Sequence, residues 1–370
     1  MGECLICHSR SPLISRSLGV CLACIRRDPP RALEITSKAH ESARLRFGLP
    51  PSPPRDDGGV PCNGCANNCL IGVGRTGYCG LVENIEGRIV RFGGTPEKGV
   101  LEWYYDPLPT NCVSSWFCPG CTGRGYPLHS YSPGPEFGYF NLAVFYGSCS
   151  FDCLFCQNWH YRSLSTKHSP TVSAKELALK VKDKKVSCIC FFGGDPSTQM
   201  PHSLETCRIA YEIARDSGRI LRLCWESNGH FTKDAAVTAG EYALNSGGNI
   251  KFDIKAWDEN LNMALCGISN RSALENFKSL GRLHRKRPDP PLLSASTLLV
   301  PGYIDPVEVG KIAEFIGSID RTIPYTLLAF YGCYAMIDLP TTTRSLAIEC
   351  KQAALKHLDN VSIGNVHLLS

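Results

Sequence analysis

From about residue 140 the chain alternates short apolar runs with segments of helical period. The runs are Asn141–Gly147, Val186–Phe192, Ile220–Trp225, Asn249–Lys255, Leu292–Val300 and Tyr325–Tyr331, and a seventh strand is expected at Val361–Val366. Short apolar runs bounded by turn residues predict strands buried on both faces. Between the first two, Ser173-x-x-Glu176 is a capping box, in which each side chain satisfies a free backbone N–H at a helix start. Asp305-Pro306-Val307-Glu308 opens a later helix with proline at its first position. Val309, Ile312, Ala313 and Ile316 then give that helix one buried face. Six strand–helix units in series predict a parallel sheet with helices outside it, because parallel strands need crossover connections. Periodicity fits an α/β barrel or an open α/β sheet and does not give the number of strands that close.

The preceding stretch has a different texture. Residues 1–47 hold two Cys-x2-Cys pairs and an alanine- and arginine-rich segment, Arg31–Phe47, expected to be helical. Residues 48–61 (GLPPSPPRDDGGVP) read as a linker that holds neither helix nor central strand. Residues 62–135 are rich in cysteine, glycine and proline and predict a loop-rich module stapled by metal. The strand–helix region then occupies residues 136–370.

Composition narrows the class. Apolar residues make up 43% and charged residues 20%, as in a folded globular protein. No apolar run approaches the ~20 residues of a membrane span, and the start of the chain carries charges and cysteines instead of an apolar export signal. A formal charge of +5 is mild for this length and does not point to nucleic acid. Cysteine is the anomaly: 21 are present, fourteen of them before residue 157 in short regular spacings. With no export signal, a cytoplasmic location is expected, where thiols stay reduced and such groups read as metal ligands.

Cys149-Ser-Phe-Asp-Cys153-Leu-Phe-Cys156 follows the first strand. Three thiolates at this spacing can wrap one cubic iron–sulfur cluster, and a fourth iron is then left open for a ligand. A zinc site with a distant fourth ligand is the bland alternative. Further motifs close the following strands: Gly193-Gly194-Asp195-Pro196, Glu226-Ser227-Asn228-Gly229, Asp253-Ile254-Lys255 and Leu299-Val300-Pro301-Gly302. Barrel enzymes build their sites at these strand ends. Glycine pairs there let backbone N–H and C=O groups approach a ligand, and alternation puts Asp253 and Lys255 on one face.

These motifs resemble the radical S-adenosylmethionine (SAM) superfamily over residues 140–370, and within it the pyruvate formate-lyase activating enzyme group. The resemblance implies a partial (β/α)6 barrel of the α/β class, with a small cysteine-rich metal-binding region before it. It implies a [4Fe-4S] cluster on Cys149, Cys153 and Cys156 whose open iron chelates SAM. Phe155 is expected near the adenine, and Asn158 is the asparagine that follows the triad. Gly193, Gly194 and Asp195 are expected at the SAM amino group, while Glu226, Asn228, Asp253, Lys255, Val300 and Pro301 are expected to border SAM. The activity implied is reductive cleavage of SAM to a 5′-deoxyadenosyl radical, which takes hydrogen from an unactivated carbon. By analogy that carbon is a backbone Cα of a protein or peptide, and the electron donor is a flavodoxin or ferredoxin.

Cys4-x2-Cys7-x13-Cys21-x2-Cys24 is a zinc-ribbon spacing, with an electron-transfer cluster as alternative. Cys62-x2-Cys65-x3-Cys69-x9-Cys79 is a second group of four, read first as zinc with an auxiliary iron–sulfur cluster left open. It resembles the cysteine region before the barrel in a branch of the same superfamily. Cys112, Cys118 and Cys121 lack an evident fourth thiolate, and His129 is the candidate. Cys188, Cys190, Cys207, Cys224, Cys266, Cys333 and Cys350 are expected to pack as small apolar residues. Two other functional readings compete: a cobalamin-assisted radical C-methyltransferase acting on a protein, and a zinc-dependent interaction or nucleic-acid-binding protein.

Overall fold

The computed structural model describes residues 1–110 and 112–370. Its main sheet contains β1 (Gly99–Pro107), β2 (Phe140–Tyr146), β3 (Thr171–Val172), β4 (Val186–Gly193), β5 (Arg222–Ser227), β6 (Ile250–Asp253), β7 (Leu293–Leu299), β8 (Tyr325–Ala329) and β9 (Val361–Gly364). They lie in the order β9-β8-β7-β6-β5-β4-β2-β1-β3. The run from β2 through β4 to β9 is parallel throughout. The six expected strands and the seventh are all present within a few residues of their apolar runs. The two edges, β3 and β9, do not pair among the described residues, so the sheet forms an open, partial barrel. Strand β1 runs antiparallel to β2 from Leu101 opposite Tyr146 to Pro107 opposite Phe140. The sheet therefore begins inside the stretch that composition assigns to the second metal module.

Helices α1 (Leu22–Arg27) and α2 (Pro29–Leu45) belong to the amino-terminal region. Around the sheet lie α3 (Tyr161–Lys167), α4 (Met200–Asp216), α5 (Lys233–Ser246), α6 (Glu259–Cys266), α7 (Arg271–His284), α8 (Pro306–Ile319) and α9 (Arg344–Leu355). The capping box at Ser173 and Glu176 forms in both directions. At α8 the Asp305 side chain accepts from Glu308 N, and Val309, Ile312, Ala313 and Ile316 are buried as their spacing requires.

The amino-terminal region is docked on the barrel. Arg26 bridges Asp305 at 2.8 Å and Glu308 at 3.1 Å. Tyr303 receives a hydrogen bond from Ser15 N and donates one to Val20 O, each at 3.0 Å. From α2, His40 reaches Ala264 O of α6 at 3.1 Å.

A buried ion pair closes the floor of the barrel. Arg222 meets both carboxylate oxygens of Glu136, at 2.8 and 2.7 Å, and Ser187 Oγ donates to the same carboxylate at 2.7 Å. Burial opposes the charge on Glu136, but Arg222 outweighs it and holds the carboxyl below its ordinary range. Its stabilisation is complete above the unfolded pKa of about 4.3 and is lost as pH falls through the lower folded value. Glu136→Gln is expected to lower stability at neutral pH and to flatten the acid limb of a melting-temperature profile. An unchanged acid limb would count against this pair.

Candidate active site

Strand β2 leads through Gly147 into the Cys149–Cys156 loop. A Cβ at Gly147 would lie 2.6 Å from Leu164 Cβ, so the chain turns there only without a side chain. The loop is pinned on its outer side by Asp152 N donating to Cys266 O at 2.9 Å and Leu154 N donating to Leu265 O at 3.0 Å. Between the cysteines, the fully buried Asp152 carboxylate takes hydrogen bonds from Arg162 and from His40 Nδ1 (2.9 Å), with Arg44 at 3.7 Å. Burial opposes the Asp152 charge; the His40 hydrogen bond and the two guanidiniums outweigh it and hold the carboxyl well below its usual range. Thus α2, from the amino-terminal module, helps to hold the loop.

The three thiols open on one pocket of about 750 Å³. Burial pushes the Cys149 thiol up, and the Cys156 thiol up to about 11. Such thiols ionise when a cation binds them. Cys153 Sγ lies 3.4 Å from Cys266 Sγ, and this contact first, then burial, raises its pKa. Cys266, expected only to pack, therefore touches the triad, although it does not line the pocket.

The strand-end motifs reach this pocket unequally. Phe155, Asn158, Gly193, Gly194, Asp195, Asn228, Asp253 and Lys255 all line it. Asn158 Nδ2 donates to Gly193 O at 3.0 Å, tying the triad loop to β4. A Cβ at Gly194 would collide with Ser148 O and sit 2.8 Å from Tyr161 Cγ, so the glycine pair packs backbone against the triad loop. Gly194→Ala is expected to displace that loop at a cost of about 1–3 kcal/mol. SAM titration should show roughly tenfold or more weakening, and an unchanged affinity would contradict the packing argument.

Asp195 accepts from Ser197 N (2.8 Å), Ser227 Oγ (2.8 Å) and Asn228 N (2.6 Å). Three of its about four lone-pair sites are thus used, one capping its own turn and two joining β4 to β5, which makes it a positioning residue as well as a pocket wall. Asn228 Nδ2 lies 3.6 Å from Cys149 Sγ and 3.0 Å from Ser150 Oγ, so its amide faces the triad sulfur itself.

Glu226 does not line this pocket. It lines an adjoining cavity of about 910 Å³ in the barrel lumen. The two spaces are separated by a chain of charges that runs from Glu226 to Lys251 (3.0 Å), Asp253 (2.9 Å) and Lys255 (3.0 Å). Lys251 is buried; burial opposes its charge, but Asp253 and Glu226 raise its pKa above the ordinary value. Sequence reasoning missed Lys251, whose only signal is a lysine at an inward-facing register position of a core strand.

Val300 and Pro301, expected to border SAM, are not among the residues that line either cavity. Their turn backs onto the amino-terminal module, where a Cβ at Gly302 would meet Leu13 O. The lumen cavity brings a correction. Cys188, Cys190 and Cys224, expected to pack, line it together with Cys112 and Cys118. Cys112 Sγ donates to Glu226 Oε1 at 2.9 Å. His129 is not among its lining residues; its ring packs on Gly247.

Outside the barrel, Cys4, Cys7, Cys21 and Cys24 bring their sulfurs all within 4.8 Å of one another, a set that could close on one metal ion. Cys62, Cys65, Cys69 and Cys79 line a separate small cavity.

Open α/β barrel, three thiols on one loop after its first parallel strand, and a ligand-sized pocket beside them define a class of cluster-dependent enzyme. Residues 143–316 match the model of the radical SAM superfamily, and the chain carries that domain. It is 27% identical over 215 residues to "Putative glycyl-radical enzyme activating enzyme MJ1632" of Methanocaldococcus jannaschii, covering 58% of this chain and 76% of that one. It is 24% identical over 322 residues to MJ0808 of the same organism, covering 84% and 83%. Among solved structures, Streptococcus suis SuiB bound to its precursor peptide SuiA aligns with TM-score 0.46 and 14% identity. That alignment covers 60% of this chain and 47% of SuiB, so the chain spans about half of SuiB's length. A domain of a pyruvate-formate lyase-activating enzyme from Bacteroides vulgatus aligns with TM-score 0.38 and 16% identity, over 48% and 98%.

The residues present fit the cofactors that the superfamily implies. Three convergent thiols without a fourth lining the pocket suit a [4Fe-4S] cluster with one open iron, and the space beside them suits SAM. Among the described residues, no helix is long and apolar enough to cross a membrane.

Proposed function

We propose that this chain is a radical SAM enzyme that abstracts hydrogen from a protein or peptide, at a backbone Cα. The observation that carries the reading is the adjacency of the two cavities: Phe192 lines the lumen space and the next residue, Gly193, lines the thiol pocket, with the Glu226–Lys251–Asp253–Lys255 chain between them. A substrate carbon entering the lumen would thus approach SAM from below. The similarity to MJ1632, which is named as a glycyl-radical enzyme activating enzyme, supports a protein substrate.

Bound at the triad, the cluster and SAM supply reductive cleavage of the C5′–S bond and a radical able to take hydrogen from carbon. The chain's own residues provide position. Cys149, Cys153 and Cys156 hold the cluster; Asn158 and Asn228 fix the loop; Phe155 walls the adenine side. Lys255 offers an ammonium to the SAM carboxylate, and Asp253 offers a carboxylate to its hydroxyl groups. The Glu226–Lys251 pair lies towards the substrate. The electron comes from a low-potential donor of the flavodoxin or ferredoxin class. Zinc in the Cys4, Cys7, Cys21 and Cys24 site folds a segment too small for its own core. The density of free thiols favours a cytoplasmic setting, because an oxidising compartment would pair them.

The test uses the anaerobically reconstituted chain with SAM and dithionite. Release of 5′-deoxyadenosine is expected, and it should acquire deuterium from a host protein fraction labelled at Cα. Deuterium arriving only from the dialysable fraction would overturn the protein-substrate reading.

A further inference from the structure

The thiol groups of this chain differ in size. A zinc ion bonds thiolates at about 2.3 Å in a tetrahedron, which puts the sulfurs about 3.8 Å apart. Cys4, Cys7, Cys21 and Cys24 approach that limit: all four sulfurs lie within 4.8 Å of one another, with Cys7 and Cys21 at 3.9 Å. No three of Cys62, Cys65, Cys69 and Cys79 meet the same 4.8 Å limit, and neither do the three of the triad. A polynuclear cluster distributes its thiolates over different irons and needs this wider spacing.

The four thiols of the second group line one small cavity, together with Gly64, Gly77 and neighbouring backbone. The segment is tied to other parts of the fold. Cys79 O accepts from Ser148 Oγ at 2.9 Å and from Ser165 Oγ at 2.5 Å. Asn67 Nδ2 donates to Ser150 O at 2.8 Å, and Ala66 N donates to His230 O at 3.2 Å. Burial raises the thiols of Cys65, Cys69 and Cys79, partly offset by the backbone amides of Asn67, Tyr78 and Leu81 beside their sulfurs, and Arg91 Nη2 sits 3.7 Å from Cys62 Sγ. Hydrogen bonds to sulfur are a means of tuning iron–sulfur clusters.

We infer that Cys62, Cys65, Cys69 and Cys79 hold an iron–sulfur cluster and not zinc, set against the SAM-site loop. Its anchors explain the placement: Ser148 and Ser150 flank Cys149, the first triad thiol, and Asn228 reaches that sulfur from the other side. A cluster there is a one-electron relay. It accepts one electron from a low-potential donor and passes one electron to the triad site, with no proton or bond change of its own.

The experiment is metal analysis of the full chain with Cys149, Cys153 and Cys156 all replaced by alanine. It needs no SAM turnover, so its outcome is independent of the substrate reading. After anaerobic reconstitution, this variant is expected to keep about two to four iron and matching sulfide, an electron paramagnetic resonance signal on reduction, and one zinc at the Cys4 group as a marker of folding. Adding Cys62→Ala and Cys65→Ala should remove that iron and leave the zinc. Two zinc and no iron in the triad variant would overturn the inference. So would iron that survives loss of Cys62 and Cys65, since it would then belong to the lumen thiols. The relay is read separately: in the chain with the triad intact, Cys62→Ala with Cys65→Ala should slow triad reduction by a flavodoxin at least tenfold. Equal reduction rates would remove the relay role.

Discussion

Cys156→Ala is expected to reduce 5′-deoxyadenosine formation to background while leaving the chain folded. The thiol lines the SAM-sized pocket, is half-buried, and is placed by the Cys156 backbone N–H donating to Cys153 O at 3.1 Å. Two remaining thiolates cannot hold a cubane in the geometry that presents one open iron to the pocket. Iron content should fall by one cluster's share, with zinc unchanged. The contrasting variant is Asn228→Ala, which removes an amide 3.6 Å from Cys149 Sγ but no ligand. It should retain the iron and lose about 10–100-fold in rate, the usual effect of removing a group that orients a metal ligand. Full activity and full iron in Cys156→Ala would sink the assignment of the triad.

The contrast between those two variants shows what was legible in the sequence. Strands were readable because parallel strands are buried on both faces, so Val186–Phe192 or Tyr325–Tyr331 stand out as apolar runs without needing partners. Cysteine spacing was readable because ligands of one centre on one loop must be close in sequence. What the sequence hid was which side chains face which cavity. Asp195 looked like a ligand-facing acid, yet most of its acceptor sites are taken by Ser197 in its own turn and by Ser227 and Asn228, which become its neighbours only when β4 and β5 pair. Val300 and Pro301 carried a matching motif, but their turn faces the amino-terminal module. Cys190 and Cys224 looked like filler because their register pairing, and hence their shared lumen, depends on two strands more than thirty residues apart. Strand β1 was missed for a related reason: Trp103, Tyr104 and Tyr105 run together between Glu102 and Asp106, with no clean alternation, in a region dominated by turns.

Asp152 is the clearest case of a residue whose importance the fold creates, and its removal carries the second large effect. It sits between two triad cysteines, is fully buried, and gathers Arg162 from α3 with His40 and Arg44 from α2. Arg162 stacks over Tyr334 and Tyr161 and has two further nitrogens without partners, so Asp152 is its main compensation. Asp152→Ala leaves buried cations facing a void and should cost about 3–5 kcal/mol, the range for breaking one side of a buried ion pair. Asp152→Asn keeps the volume and can still accept from Arg162, so its loss should be smaller. Two readouts separate a positioning role from a merely structural one. Thermal unfolding should fall for both variants in that order, and iron retention at the triad should fall in parallel even below the melting transition. If Asp152→Asn keeps the full iron load and SAM affinity at 20 °C, the carboxylate stabilises the fold without positioning the triad. If it loses iron while still folded, the amino-terminal helix α2 is part of the active-site scaffold, because its His40 and Arg44 reach the triad loop through this one carboxylate.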